Sequence, residues 1–155
     1  MANIYLSTAG IKVGYGVETT AGTKPTTFTE IPDLVSIGSI NPEPQTIKVT
    51  PLAEAEWEQY IDGLKDVGGA ISMSANLTDD FIEAWESVVS AAKTAKASGK
   101  ATWFVVVIPG LEKSFAFCGN PATLGFEGAE VSSALQTSVY ITPTKIEGFI
   151  TKVTL

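Results

Sequence analysis

The chain has 155 residues, a charged content of 17% and a formal net charge of −7, with ten lysines, no arginine and no histidine. This length corresponds to one domain, able to bury roughly 70% of the surface that its unfolded chain would expose. The sparse cations exclude a protein that reads nucleic acid through clustered phosphate contacts, and the missing histidine excludes a Ser-His-Asp or Cys-His catalytic site on this chain.

The charged content lies below the value of about 25% that is typical of soluble domains. Either part of the surface is covered by a partner, or the chain is a β-rich domain full of Thr, Ser and Gly. Cys118 is the single cysteine, which rules out a disulfide within the chain and fits a reducing compartment. The N-terminus lacks the pattern of a signal peptide, and the longest apolar run, Trp103 to Ile108, is too short to cross a bilayer. We therefore expect a protein made in the cytoplasm, without a membrane partner.

The N-terminal part is predicted to form short strands. Ile11 to Glu18 alternates between apolar and polar residues, which is typical of a strand. Gly14 and Gly16 would weaken this strand unless another part of the chain approaches that face closely. Two further short strands are predicted at Phe28 to Ile31 and at Leu34 to Ile40.

Residues 41–69 form a less regular stretch. It begins with a break at Asn41-Pro42-Glu43-Pro44, because proline cannot donate to a strand ladder, and a short strand is predicted at Thr46 to Thr50. Pro51 to Gly69 then sets large apolar residues among acids: Leu52, Trp57, Tyr60, Ile61 and Leu64. This spacing leaves two interpretations open, a short helix packed on the core or a long loop that binds a partner.

The best-patterned part of the chain is a strand, a helix and a strand between Gly69 and Pro109. The first strand, Ala70 to Leu77, has a polar face made by Ser72, Ser74 and Asn76. A helix is predicted at about residues 79–97, because its apolar residues follow one stripe of a 3.6-residue repeat, and Gly99 ends it. Trp103 to Ile108 is continuously apolar, as expected of a strand covered on both faces.

The C-terminal third is predicted to contain further strands. They are expected at Leu111 to Cys118, Ala122 to Glu127, Ala134 to Thr142 and Phe149 to Leu155, with a turn at Gly119-Asn120-Pro121 and a break at Pro143. Together the patterns predict a mainly β protein, a β-sandwich or small barrel of about six to eight strands with one flanking helix.

No pattern of residues indicates an active site. Cys118 lies in an alternating strand and is interpreted as a small buried residue. The adjacent acids Asp79 and Asp80 are explained by their position at a helix start. The acidic residues between Glu54 and Glu58 lack the spacing of a calcium loop, and Gly14-Tyr15-Gly16 lacks the third glycine of a phosphate loop. We therefore expect no enzyme, no metal site and no cofactor.

Aromatic residues leave two classes of binding protein open. Trp57 and Trp103 would be the stacking platforms of a carbohydrate-binding or adhesion β-sandwich, although the apolar strand around Trp103 favours the core for that residue. Tyr15, Tyr60 and Tyr140 are of a type enriched at protein interfaces. Together with the low charge and the apolar loop, they fit the subunit of an assembly.

Two short motifs ahead of the strand, helix and strand unit carry a resemblance to a known family. The first is Ile47-Lys48-Val49-Thr50-Pro51-Leu52, and the second is Tyr60-Ile61-Asp62-Gly63-Leu64-Lys65-Asp66-Val67-Gly68. In this order the chain resembles, over about residues 1–142, the major tail tube proteins of long, non-contractile phage tails. Pro51 departs from the family pattern, where a second threonine is expected before the leucine. Residues 143–155 run past the usual end of the domain and would be an extension or arm.

The resemblance implies a β-sandwich with a flanking helix that forms hexameric rings, which stack into a tube that conducts DNA into the host. Residues 41–69 would be the assembly loop, with subunit contacts at Ile47, Val49, Leu52, Trp57, Tyr60, Ile61 and Leu64. The polar strand face made by Ser72, Ser74 and Asn76 would turn to the lumen or to solvent.

The implied partners are further copies of the chain and the tape measure, tail terminator and distal tail proteins, with DNA passing through without specific binding. The protein would be assembled in the bacterial cytoplasm and reside in the virion tail. Contractile tail tubes and type VI secretion tubes share this fold, so a tube protein of that kind stays open as an alternative.

Overall fold

The computed structural model describes residues 5–66 and 68–155, and in these ranges it contains nine strands and one helix. The strands are β1 Lys12–Val17, β2 Thr29–Glu30, β3 Leu34–Ile37, β4 Glu43–Lys48, β5 Tyr60–Asp66, β6 Ile71–Asn76, β7 Thr102–Val107, β8 Lys113–Pro121 and β9 Gln136–Thr151, and the helix is α1 Asp79–Ala97. The predicted class, mainly β with one flanking helix, is confirmed.

Seven strands form one antiparallel sheet in the order β2-β1-β7-β8-β9-β6-β3. Its two edge strands are joined by residues 31–33 alone. A flat sheet of seven strands would hold its edges about 29 Å apart, whereas four steps of extended chain span at most about 14 Å. The sheet must therefore curl until its edges approach each other, and its concave side encloses the main core.

Helix α1 closes this core. Thr78 caps its N-terminus by accepting a hydrogen bond from the Phe81 backbone N–H at 3.2 Å, and Gly99 takes the positive φ of 73° that ends it. The predicted apolar stripe packs into the sheet, with buried residues Phe81, Trp85, Val88, Ala92 and Ala95. The Trp85 indole N–H also donates to the Ala122 carbonyl at 2.9 Å, which ties the helix to the chain that follows β8.

Strand β7 is buried on both faces along Thr102 to Val106, as its continuous apolar run predicts. Phe104 and Val106 point into the main core. On the opposite face Trp103 packs with Ala116 and Cys118 in a second, smaller cluster. Burial raises the pKa of the Cys118 thiol to about 11, in agreement with its interpretation as an apolar core residue.

Other parts of the chain approach Gly14 and Gly16 closely, which is the condition under which these glycines suit the strand. A Cβ on Gly14 would lie 2.6 Å from Cδ2 of Leu155, and one on Gly16 would lie 2.8 Å from the Thr27 carbonyl oxygen. The chain end reaches this position across the sheet, since the Val153 N–H donates to the Ser114 hydroxyl at 3.1 Å. Residues 152–155 therefore cover part of the outer face of the sheet.

The predicted break at Pro143 is wrong, because β9 runs without interruption from Gln136 to Thr151. The ladder with β8 shifts its register next to this residue, pairing Cys118 with Lys145 and Gly119 with Pro143. On its other side β9 pairs with β6 only up to Ile141. Pro143 thus occupies a bulge with a free edge, where its missing N–H leaves no ladder bond unmade.

Two further predictions around β8 are also wrong. The expected turn at Gly119-Asn120-Pro121 is the end of β8, and the expected strand at Ala122 to Glu127 is irregular chain. Both edges of the first half of β9 are occupied, by β8 and by β6. An alternating segment that follows β8 therefore finds no open edge along the first half of β9 to pair with.

Glu18 is a carboxylate that is only 6% exposed. Its oxygens accept hydrogen bonds from the Trp103 indole N–H at 2.9 Å and from the backbone N–H groups of Gly22 and Ala101 at 2.9 and 3.2 Å. These bonds, led by that of Trp103, outweigh burial and lower the pKa of Glu18 below its ordinary value of 4.5. The ionised side chain joins β1, the loop after it and the start of β7.

We predict that Glu18→Gln lowers the free energy of unfolding at neutral pH by about 1–3 kcal/mol, because an amide accepts these bonds less strongly. The folded-state pKa is depressed, so the stabilisation by Glu18 is fully present above 4.5 and is lost as the pH falls below it. Urea unfolding of both proteins should show a difference in the free energy of unfolding that becomes smaller at acidic pH. An equal difference in unfolding free energy at neutral and acidic pH would contradict stabilisation by the ionised Glu18.

Candidate functional site

Residues 43–66 form a separate two-stranded β-hairpin, called the hairpin below. Its strands β4 and β5 pair with each other and with no strand of the seven-stranded sheet. The interpretation of residues 51–69 as a short helix on the core is therefore wrong. Leu52, Trp57 and Ile61 have helix-like spacing, but Ile61 lies in a ladder opposite Ile47.

The hairpin buries almost none of its side chains. Every residue of β4 is exposed, and in β5 only Gly63 is partly covered. All seven predicted contact residues are exposed, including Trp57 at 76% and Leu64 at 85%: Ile47, Val49, Leu52, Trp57, Tyr60, Ile61 and Leu64. An isolated two-stranded hairpin is at best marginally stable in water, so this element needs a further surface to pack against.

The apolar residues of the hairpin lie on both of its faces. Ile47 and Ile61 are directly opposite each other in the ladder and share one face. Tyr60 directly precedes Ile61 in β5 and therefore lies on the other face, opposite Lys48. A bulge between Asp62 and Lys65 interrupts the alternation beyond this point. One flat partner surface would leave either Tyr60 or the pair Ile47 and Ile61 in water.

Hydrogen bonds within the hairpin preorganise its loop. The Glu54 carboxylate accepts bonds from the backbone N–H groups of Glu56 and Trp57 at 3.0 and 3.4 Å, which lowers the pKa of Glu54. Glu58 pairs with Lys48 and accepts a bond from the Tyr60 hydroxyl at 2.5 Å. The bond from Lys48, and after it the bond from Tyr60, lower the pKa of Glu58, and the bond to Glu58 raises the pKa of Tyr60.

The hairpin is also acidic. Its 24 residues contain six carboxylates and two lysines, a net charge of −4 within a chain of net charge −7. Three of the acids, Glu54, Glu56 and Glu58, lie in the connecting loop beside Leu52 and Trp57. A partner of this loop should therefore combine an apolar depression with positive charge.

The polar face predicted for β6 is present. Ile71, Met73 and Ala75 are buried, whereas Ser72 and Asn76 are exposed and Ser74 is partly exposed. The neighbouring positions of β9 on the same face are also polar and uncharged: Gln136, Ser138 and Tyr140. The Gln136 amide donates to the Asn76 side-chain oxygen at 3.2 Å.

Further exposed apolar side chains lie in the irregular segment 122–135, where the sequence predicts a strand. Phe126 is 71% exposed, and Val131 and Leu135 are also exposed. The neighbouring Leu124 packs against the core instead. The glycines at 125 and 128 were the available signal that this segment is not a regular strand.

The aromatic platforms of a carbohydrate site are not brought together. Trp103 is buried at 4% exposure and donates to Glu18, so its assignment as a stacking platform is wrong, and only Trp57 remains exposed. Within residues 5–66 and 68–155 no group of three or more acidic, Cys or His side chains is placed to hold a metal ion. No helix in that part of the chain has the length and apolar character needed to span a membrane.

Comparison with known proteins identifies no matching family model and no matching curated protein. Solved structures do share the fold. A chain in the six-fold symmetrised cryo-EM structure of the anti-feeding prophage baseplate matches with a TM-score of 0.59 and 8% identity, covering 100% of both chains.

Two structures of gene transfer agent particles give similar matches. A chain from the tail of an empty particle, refined helically with C6 symmetry, has a TM-score of 0.58 and 16% identity over 96% of this chain and 100% of that one. A chain from the virion of the native particle has a TM-score of 0.58 and 14% identity, covering 93% of this chain and 98% of that one. The fold is that of proteins in tail and baseplate assemblies.

We predict that the double substitution Tyr60→Asp/Leu64→Asp changes the free energy of unfolding of the dilute, unassembled protein by less than about 0.5 kcal/mol, because neither side chain packs on the core. Trp85→Ala, which empties a fully buried site, should cost about 3–5 kcal/mol. Urea unfolding followed by tryptophan fluorescence measures both effects. A large loss of stability in the hairpin variant would place these residues in the core.

Proposed function

We propose that this chain is a structural subunit of a phage-type tail and that it polymerises as stacked hexameric rings to form the tail tube. The observation that carries the proposal is the exposed hairpin, whose apolar residues cover both faces and find no partner among the described residues of their own chain. Large exposed apolar surfaces mark sites of association. The shared fold with components of six-fold tail and baseplate structures, over nearly the whole of each chain, supports association with further copies.

The two-faced hairpin favours an insertion between neighbours over docking on a single surface. If the hairpin lies between two other copies, Ile47 and Ile61 pack against one of them and Tyr60 packs against the other. Each subunit then joins several neighbours through one element, as a closed ring that also stacks requires. The exposed residues Phe126, Val131 and Leu135 provide further apolar contact area.

The face formed by β6 and the first half of β9 is our candidate for the lumen wall. It presents hydroxyl and amide groups without a lysine, from Ser72, Ser74 and Asn76 and their β9 neighbours. Tight binding to DNA depends on cations that neutralise phosphates, so DNA would pass this wall without being held. The tape measure protein, the tail terminator and the distal tail protein are the partners that we propose for the rest of the tail.

The fold does not separate a non-contractile tail tube from the tube of a contractile tail or of a type VI secretion system. We propose the non-contractile tail, on the order and spacing of the motifs at residues 47–52 and 60–68. Isolation of intact particles that contain this chain distinguishes the two, since a contractile tail carries a sheath around its tube.

We predict that the purified protein, concentrated alone or mixed with its tail partners, forms rings or tubes with six-fold symmetry that are visible by negative-stain electron microscopy. A protein that stays monomeric in all these conditions would contradict the proposal. Cryo-EM of the tubes would also test whether Ser72 and Asn76 line the lumen.

We further predict that Tyr60→Asp/Leu64→Asp abolishes tube formation, because charges replace apolar groups that become buried between subunits. The matched control Tyr60→Phe/Leu64→Met keeps the apolar surface and should still assemble. Ile47→Asp/Ile61→Asp tests the face opposite to Tyr60 in the same assay. If both aspartate variants form normal tubes, the hairpin does not lie in the subunit interface.

A further inference from the structure

A groove lies between helix α1 and the irregular chain after β8, and it is called the helix groove below. Its volume is ≈ 360 Å³, and its lining residues are Trp85, Glu86, Val89, Ser90, Lys93, Thr123 and Leu124. Its apolar floor comes from Trp85, Val89 and Leu124. A cavity of about 150 Å³ accommodates a benzene ring, so the helix groove has room for one large aromatic side chain.

One end of the helix groove is positively charged. Lys93, Lys96 and Lys100 are all at least partly exposed and follow one another without an intervening acid. None of them forms a salt bridge among the residues that the structure describes. The opposite end is acidic, because Glu86 lines the groove there and Glu83 precedes it by three residues in α1. The charge along the helix therefore also sets the direction in which an acidic partner would lie.

We infer that the hairpin loop of one copy docks in the helix groove of a second copy. Trp57 enters the apolar part of the groove, and the acids Glu54 and Glu56 lie over Lys93 and Lys96. This inference rests on the proposed function, because it identifies the surface of the neighbouring subunit that receives the hairpin.

A hairpin loop from another copy is the partner that we infer for the helix groove, because the loop and the groove have complementary chemistry. The loop combines an exposed indole with clustered carboxylates, and the groove combines an apolar depression with clustered ammonium groups. Complementary charges of this kind set the register and exclude the reversed orientation, in which Glu54 and Glu56 would face Glu83 and Glu86. Such a contact covers Trp57, which with Leu52 is the most exposed of the large apolar residues in the loop.

A charge-reversal pair tests the inference. Lys93→Glu/Lys96→Glu should raise the protein concentration needed for tube formation by about tenfold or more, because like charges then face each other across the contact. Ala55→Lys/Glu56→Lys in the same chain should restore assembly, and it leaves the backbone contacts of Glu54 in place. Lys93→Arg/Lys96→Arg keeps the charge and should assemble as the wild type does.

A cross-link provides a readout that does not depend on charge. A mixture of Ala53→Cys chains and Ser90→Cys chains should form disulfide-linked dimers when its tubes are oxidised, whereas Ala53→Cys mixed with Thr23→Cys should not. The native Cys118 is buried and does not compete. The inference alone would be overturned if the wild type forms tubes but the cysteine variants give no cross-link and the lysine reversal has no effect on assembly. A wild-type protein that forms no tubes at all would instead overturn the proposed function.

Discussion

The packing of α1 into the concave side of the curled sheet is the interaction on which the rest of the structure depends. Phe81, Trp85 and Val88 fill the space that the curl creates, and the short link between β2 and β3 keeps the sheet curled. With the inner face closed by the helix, the chain end and Phe28 cover part of the outer face at β1, β7 and β8. The apolar side chains of both core clusters are thereby covered within the subunit, whereas Phe126, Val131 and Phe149 stay exposed.

The hairpin is the part of the chain that this arrangement leaves out. It has its own ladder and its own loop contacts, yet it contributes no residue to either core cluster. An isolated hairpin is at best marginally stable in water, so its exposed apolar residues are the feature on which the proposed assembly rests. In that proposal, the acidic loop of the hairpin meets the basic end of α1 of a second copy.

Sequence patterns were sufficient to predict an element where its local periodicity agrees with its burial in the fold. The α1 stripe, the two-faced burial of β7 and the polar face of β6 all follow from the spacing of apolar residues. The patterns were insufficient where a long-range pairing decided the outcome. Pro143 stays in β9 because a register shift and a free edge accommodate it. Ala122 to Glu127 is not a strand because both edges of the first half of β9 are already occupied. The hairpin residues were identified as exposed binding candidates, but their strand structure was hidden by a spacing that a helix shares.

By itself, the sequence determined the class of the fold, the position of the helix and the candidate binding side chains. These features depend on composition and on hydrophobic periods of two and 3.6 residues. Only the tertiary structure decided that β4 and β5 stand apart from the main sheet and that Ile47 and Tyr60 lie on opposite faces. It also decided that Trp103 is buried and donates a hydrogen bond to Glu18, and that the helix groove lies beside Lys93. These features depend on which strands pair and in which register, and the free energy of such pairings comes from residues far apart in the chain.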